Sequence, residues 1–308
     1  MSDQSPLSTT SPPAHGTVGA LAAGRPRAVA AAITAIAIAI GILYWHSFGD
    51  IYNNWNTPDS LYSHALIIPP ICLFFVWRLR RELGAAPLEP ASLGLAVLLG
   101  GCAMLLLGDF LGFMTFVHLS LLPVLAGLCL LLLGWPATKV LWFPLAFLFF
   151  MIPMPYSLIS VISFKSKMLA TESAVALGKL LTLNMVQDGS WVYLGTSDRL
   201  LVGDVCGGIR SLIALLAFGA IMAYISRTRL WARVLILVLS PVIAIVANVA
   251  RIFFLCAIGY TFGSKSATGI VHDASGIGIF AVAFILLFTA ESILRRIAPA
   301  REEEPKAP

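Results

Sequence analysis

Apolar stretches of about 20 residues, the length a helix needs to cross a bilayer, recur along this chain with short polar breaks between them. The runs at 28–47, 63–79, 91–109, 111–134, 137–158, 205–225, 231–258 and 270–294 predict about eight spans. Only a tight break around Asp109 separates the third from the fourth, so seven is the competing count. The basic residues decide between them. Arg25 and Arg27 precede the first run, Arg78, Arg80 and Arg81 follow the second, and Lys139 follows the fourth. Arg227, Arg229 and Arg233 separate the sixth and seventh, and Arg295 and Arg296 follow the last. Eight spans put every cluster on one side, which the positive-inside rule assigns to the cytoplasm. Seven would strand the later clusters outside. The predicted fold is all-α, a polytopic membrane helical bundle with both termini cytoplasmic.

The longest stretch between spans, 159–204, falls on the outer face. Pro153 and Pro155 break the fifth helix. Beyond them Val161, Phe164, Met168, Leu169, Ala176, Leu177 and Leu180 recur at helical spacing, with Lys165, Lys167, Glu172 and Lys179 between them. That pattern predicts a helix lying along the outer interface over 160–183. Trp191-Val192-Tyr193-Leu194, bounded by Gly189 and Gly195, reads as a short hairpin strand leading towards Cys206. Residues 1–27 are rich in Ser, Pro, Gly and Ala and read as a disordered cytoplasmic tail. The membrane domain then covers 28–297 and a second tail 298–308. No small-residue cleavage site follows the first run, which is read as a span and not a removable signal.

Composition agrees. The 308 residues are 59% hydrophobic and 11% charged, against roughly 25% charged in soluble domains. The net charge of +5 is therefore orientation, not a nucleic-acid footprint, and no basic stretch interleaved with aromatics occurs. Of five cysteines, Cys72, Cys102, Cys129 and Cys256 lie inside apolar runs, where a thiol is a small hydrophobe. No CxxC or Cys/His spacing suggests a disulfide, a metal or a cofactor. Cys206 alone has polar neighbours.

Charged groups beside hydrocarbon are costly and tend to have a task. Cys206 begins the sixth span on the outer side, Arg251 lies roughly 26 Å up the seventh at 1.5 Å per residue, and His272 opens the eighth on the outer side. Residues far apart in sequence thus collapse onto one membrane level. Cys206 and Arg210 are four apart, Asn248 and Arg251 three apart, spacings that share a helix face. Gly207 and Gly208 are expected to leave open space beside the sulfur, and a helix N-terminus there favours thiolate. Cysteine, histidine and arginine together are the equipment of acyl transfer. Asp273, next to His272, is expected to point about 100° away from it. His118 reads as a core histidine, and Glu291 as solvated.

These motifs resemble the exosortase/archaeosortase family of membrane-embedded cysteine transpeptidases. The likeness lies in Cys206-Gly207-Gly208-Ile209-Arg210-Ser211, in Asn248 to Ile252, and in His272 to Gly276. Upstream, Tyr62-Ser63-His64-Ala65-Leu66 with Pro69, Trp77 and Arg78, and Phe150 to Pro155, are similar too. The resemblance implies Cys206 as nucleophile, Arg251 as anion stabiliser and His272 as general acid and base, with Arg210, Asn248 and His64 in support. It implies cleavage of C-terminal, PEP-CTERM-like sorting signals on membrane-anchored substrate proteins at the outer face of the cytoplasmic membrane. Such signals comprise a Pro-Glu-Pro-like motif, one apolar helix and a basic tail. The new carboxyl end passes to an acceptor, often in connection with exopolysaccharide. An anion transporter or channel and a non-catalytic scaffold for exopolysaccharide export are the rival readings, and oligomeric state is left open.

Overall fold

The structure is a computed structural model describing residues 34–57, 60–195, 198–203 and 207–300. Cys206, the 1–27 tail and the end of the C-terminal tail lie outside the described residues. The chain divides into two units. The first, Met1–Asp50, contributes α1 (Thr34–Leu43) and the opening turns of α2 (Trp45–Asn56). The second, Ile51–Pro308, holds everything discussed below.

Its helices are α3 (Ser63–Arg78), α4 (Arg80–Ala85), α5 (Leu93–Phe110), α6 (Met114–Leu132), α7 (Trp135–Val140), α8 (Trp142–Met151), α9 (Tyr156–Leu180), α10 (Ile209–Ile225), α11 (Leu230–Phe262) and α12 (Ile270–Ile297). Among the described residues four of these, α5, α6, α11 and α12, are long and apolar enough to cross a membrane. The number rises to six if α1 with α2, and α8 with α9, each form one bent crossing. Eight regular spans were expected, and the difference has local causes. α3 opens on a 3-10 turn, Ser63–Ile67, with proline in the first turn of the α-helix that follows. The Pro153 to Pro155 segment lacks the donors to continue α8, so α9 leaves at 80°. α10 is shortened at its start by Gly208, whose φ of +69° is left-handed.

The helix contacts follow the rule that small residues let membrane helices approach closely. Gly94, Gly101 and Gly108 recur every seven residues along α5, and each meets α6. A Cβ on them would fall 2.3 Å from Leu131 N, 2.8 Å from Val124 Cγ2 and 2.9 Å from Val117 N. Gly127 returns the contact against Leu98. Elsewhere Phe143 of α8 stacks on Tyr224 of α10 at 3.8 Å between ring centroids, and Phe75 of α3 meets both edge-on. α11 and α12 bury Ile236, Ala244, Ala247, Ala283 and Leu287 with Leu215 of α10. At one end the loop after α10 is tied to the chain after α12, Arg229 N–H donating to Ala298 O and Ala300 N–H to Arg227 O. Ser226 also donates to Glu291 at 2.9 Å, so that carboxylate is held and not merely solvated.

The other end departs from the all-α expectation. β1 (Met185–Asp188), β2 (Trp191–Leu194) and β3 (Asp198–Leu201) form an antiparallel sheet in the order β1-β2-β3. The 191–194 strand was legible from its Val and aromatic residues. Its partners were not, because four-residue segments carrying Gln, Asp and Arg show too little alternation. Gly189, at φ +57°, makes the tight β1–β2 turn. Met185, Val192, Leu194 and Leu200 point inward onto Ile252, Leu255 and Cys256 of α11 and Ala170 and Ala174 of α9. α11 supplies the mount. Its 33 residues span roughly 50 Å at 1.5 Å per residue, well beyond a hydrocarbon core of about 30 Å.

α9 turns the expected amphipathic reading around. Val161, Phe164, Leu169, Leu177 and Leu180 are exposed, while Ala170, Thr171, Ala174 and Gly178 face the protein. Lys167, read as part of the polar face, sits in that inward stripe with 6% exposure.

The α5–α6 seam makes a testable statement. Gly101→Leu is expected to destabilise by about 1–3 kcal/mol through overpacking. Gly100→Leu, where a Cβ meets nothing within 4 Å, is expected to be silent. Unfolding midpoints of the two purified variants in detergent check this.

Candidate functional site

Two of the three principal residues meet directly. Arg251 of α11 crosses to the first turn of α12. Its Nε donates to Ser275 Oγ at 3.2 Å and its Nη2 to the His272 carbonyl at 3.1 Å, and Nη2 lies 3.3 Å from His272 Nε2. Ser275 Oγ in turn donates to the same carbonyl at 2.7 Å. The crossing is possible because residue 276 lacks a side chain. A Cβ on Gly276 would stand 3.2 Å from Nη2, so the glycine one turn after His272 is the seat of the guanidinium.

His272 Nδ1 lies 3.3 Å from Asp273 Oδ1. The expectation that neighbouring residues diverge on a helix fails here, because side-chain torsions bring the two groups back together. A neutral imidazole satisfies both contacts at once, Nδ1–H donating to Asp273 and Nε2 accepting from Arg251. An imidazolium would place two cations in contact. Asp273 is 82% exposed and His272 24%, so the ring sits between protein and solvent. Nη1 of Arg251 has no hydrogen-bond partner among the described residues. Its two N–H groups are left to act on a ligand.

Cys206 lies outside the described residues; the chain that follows it begins at Gly207. Gly207 and Gly208 do not leave open space as expected; they are points of close packing. A Cβ on Gly207 would fall 2.6 Å from Ser163 Oγ of α9, and one on Gly208 2.6 Å from Asn248 Cγ of α11. Gly208, left-handed at φ +69°, is the N-cap of α10, which begins at Ile209; the expected one-face relation of residues 206 and 210 lies outside the described residues. Arg210 is half-buried in the first turn of α10. Asn248, 6% exposed, shares the α11 face of Arg251. Ser166, Ala170, Leu212 and Ala244 join Gly208 and Asn248 around a cavity of about 10 Å³, room for about one water.

His64, at the start of α3, is in ring contact with Tyr62 at 6.2 Å between centroids, and both ring nitrogens are buried without a hydrogen-bond partner among the described residues. No hydrogen bond links it to Arg251 or His272. Tyr62 OH accepts from Met154 N–H at 2.9 Å, and Trp55 Nε1 donates to Met151 O. This pins the chain beside the Pro153 to Pro155 break. Burial lifts the Tyr62 hydroxyl above its ordinary pKa, and the Met154 N–H acts in the opposite sense. Among the described residues no group of three His, Cys, Asp or Glu side chains is placed to hold a metal, and the four described cysteines are free thiols.

Ser163, Ser166, Lys167 and Ser275 were missed at the sequence level. The first three stand among Ser157, Ser160 and Thr171 on a helix whose repeating hydroxyls were a usable signal. Ser275 lay inside a motif already singled out.

Residue 208 offers a test of this packing. Gly208→Ala is expected to cost about 1–3 kcal/mol for the left-handed backbone, with further loss from displacing Asn248. Gly203→Ala, where nothing lies within 4 Å, is the control, and thermal unfolding of both reads the difference.

A family model for the transmembrane exosortase matches residues 55–289. No curated protein matches the chain, and no solved structure does.

Proposed function

The chain belongs to the transmembrane exosortase family, and from that premise we propose that it is a membrane-integral cysteine endopeptidase and transpeptidase. Cys206 is the nucleophile. Arg251 Nη2 turns from His272 Nε2 to the substrate carbonyl oxygen, the freed Nε2 takes the thiol proton, and the sulfur attacks the scissile carbonyl carbon. The negative charge that builds on oxygen is met by the N–H groups of Arg251, held in place beforehand by Ser275 and the His272 carbonyl. The C–N bond breaks as His272 returns its proton to the leaving amine, leaving an acyl-thioester on Cys206. An acceptor amine or water, deprotonated by His272, then attacks the thioester, and the thiolate departs.

The observation that carries this reading is the Arg251–His272 contact of 3.3 Å, with Gly208 seated on Asn248, three residues before Arg251 on the same helix face. Gly208 is two residues from Cys206, so the tether between sulfur and guanidinium is short. Asn248 and Arg210 support the site by holding this corner. Asp273 favours the tautomer that leaves Nε2 free of its own proton. His64 is assigned no part in the chemistry.

The substrates are membrane-anchored proteins ending in a Pro-Glu-Pro-like motif, an apolar helix and a basic tail. The enzyme lies in the cytoplasmic membrane, its site on the outer face and its termini inside. Length and composition give four to six candidate crossings; this orientation requires the shorter α3 and α10 to cross as well, which brings the number to eight.

Cys206→Ala is expected to insert normally and leave a reporter with such a tail at full length on immunoblots of membranes. Arg251→Gln is expected to slow cleavage by about 10²–10³-fold, the loss seen when an oxyanion donor is removed. Reporter processing by Cys206→Ala at the unmutated rate overturns the mechanism.

A further inference from the structure

β3 is an edge strand, hydrogen-bonded to β2 on one side only. Val202 N–H donates to Ser190 O at 2.9 Å, which sets the phase of the ladder. In an antiparallel pair, residues that exchange hydrogen bonds alternate with residues that do not. Asp198, Leu200 and Val202 therefore bond to β2, and the N–H and C=O groups of Arg199 and Leu201 point the other way. Those groups have no partner among the described residues. Such an edge is a template for another strand.

Beside this edge lies a cleft of about 40 Å³, walled by Leu200 and Val202, by Ile252 and Leu255 of α11, and by Ala267 and His272. Its volume is about three times what one water requires, and its walls are mostly apolar, which suits one small hydrophobic side chain. The imidazole stands at its lip. Leu201 is five residues from Cys206, and an extended chain of that length reaches no further than roughly 18 Å. An extended peptide laid on β3 thus passes the cleft that His272 lines, and chain length keeps Leu201 within that reach of residue 206.

We propose that β3 is the docking strand for the protein substrate. The segment around the scissile bond adds to the sheet as a fourth strand, pairing with the backbone of Arg199 and Leu201, and places one small apolar side chain in the cleft below His272. The proposal rests on the acyl-transfer reading of Cys206.

The test uses full-length protein in liposomes and a synthetic peptide bearing the Pro-Glu-Pro-like segment, apolar helix and basic tail. Amides around the cleaved bond are N-methylated one at a time. KM is expected to rise tenfold or more at every second position and to stay within threefold at the positions between, the period of a strand. Leu201→Pro, which removes an outward N–H without touching the β2 ladder, is expected to raise KM tenfold. Leu201→Ala is expected to stay within threefold, and iodoacetamide to alkylate Cys206 equally fast in both. A flat N-methylation profile, or Leu201→Pro with the KM of Leu201→Ala, overturns the proposal. Cleavage that survives Cys206→Ala counts against the acyl-transfer reading alone. In that case the binding of the N-methylated series to the Cys206→Ala protein, read by fluorescence anisotropy, still decides for or against docking on β3.

Discussion

A guanidinium carried on a membrane helix has to find acceptors where water is scarce, and the meeting of α11 and α12 is organised around that need. Arg251 satisfies Nε and Nη2 on Ser275 Oγ and the His272 carbonyl. Both acceptors belong to one turn of α12, and a Cβ at Gly276 would crowd the guanidinium at 3.2 Å. Sliding α12 by one residue would turn these acceptors about 100° away and leave the charge unpaired. The pair therefore sets helix register as much as it holds the helices together, a role better attested for buried polar contacts than a net gain in stability.

Once that register is set, α11 acts as a ruler. Its start at Leu230 is fixed by the strap between Arg229 and Ala298, and Arg251 follows 21 residues later, roughly 31 Å along at 1.5 Å per residue. The helix continues to Phe262, and the sheet is packed on that overhanging part through Ile252, Leu255 and Cys256. The same helix thus carries the guanidinium, the amide of Asn248 and the platform for β3. Gly207 and Gly208 then bring the segment after Cys206 against α9 and α11 at distances no side chain would allow. Glycine here serves approach, not emptiness.

How much of this was legible in the sequence follows from the range of each interaction. Level along a helix was readable, because residue number converts to rise at about 1.5 Å per residue. The level shared by Arg251 and His272 followed from counting residues. Lateral packing was not readable. Nothing local distinguishes Lys167 from Lys165, yet one is buried and the other is not; the choice is made by Ala170 and Ala174 pressing α9 onto α11. Ser275 escaped notice because its partner is 24 residues away. For His64 the motif gave no partner, and its ring contact is with Tyr62. The Asp273 contact depended on side-chain torsions, which helical geometry alone does not fix.

The sheet answers a problem that helices cannot. A peptide bond in an α-helix is closed to attack, because its neighbours crowd the carbonyl and its hydrogen bonds hold it in place. Under the proposed activity, a substrate cut at the membrane boundary must leave the helical form there. Non-helical backbone at that depth is tolerated only where protein or water takes up its N–H and C=O groups. An edge strand supplies those partners in a regular row, and a helical bundle has none to spare. Placing a three-stranded sheet on the overhang of α11, with its open edge beside His272, puts backbone partners where a bilayer offers none. The departure from an all-helical fold is thereby tied to the same demand that fixes Arg251: polar groups at a hydrocarbon boundary must be given somewhere to bond.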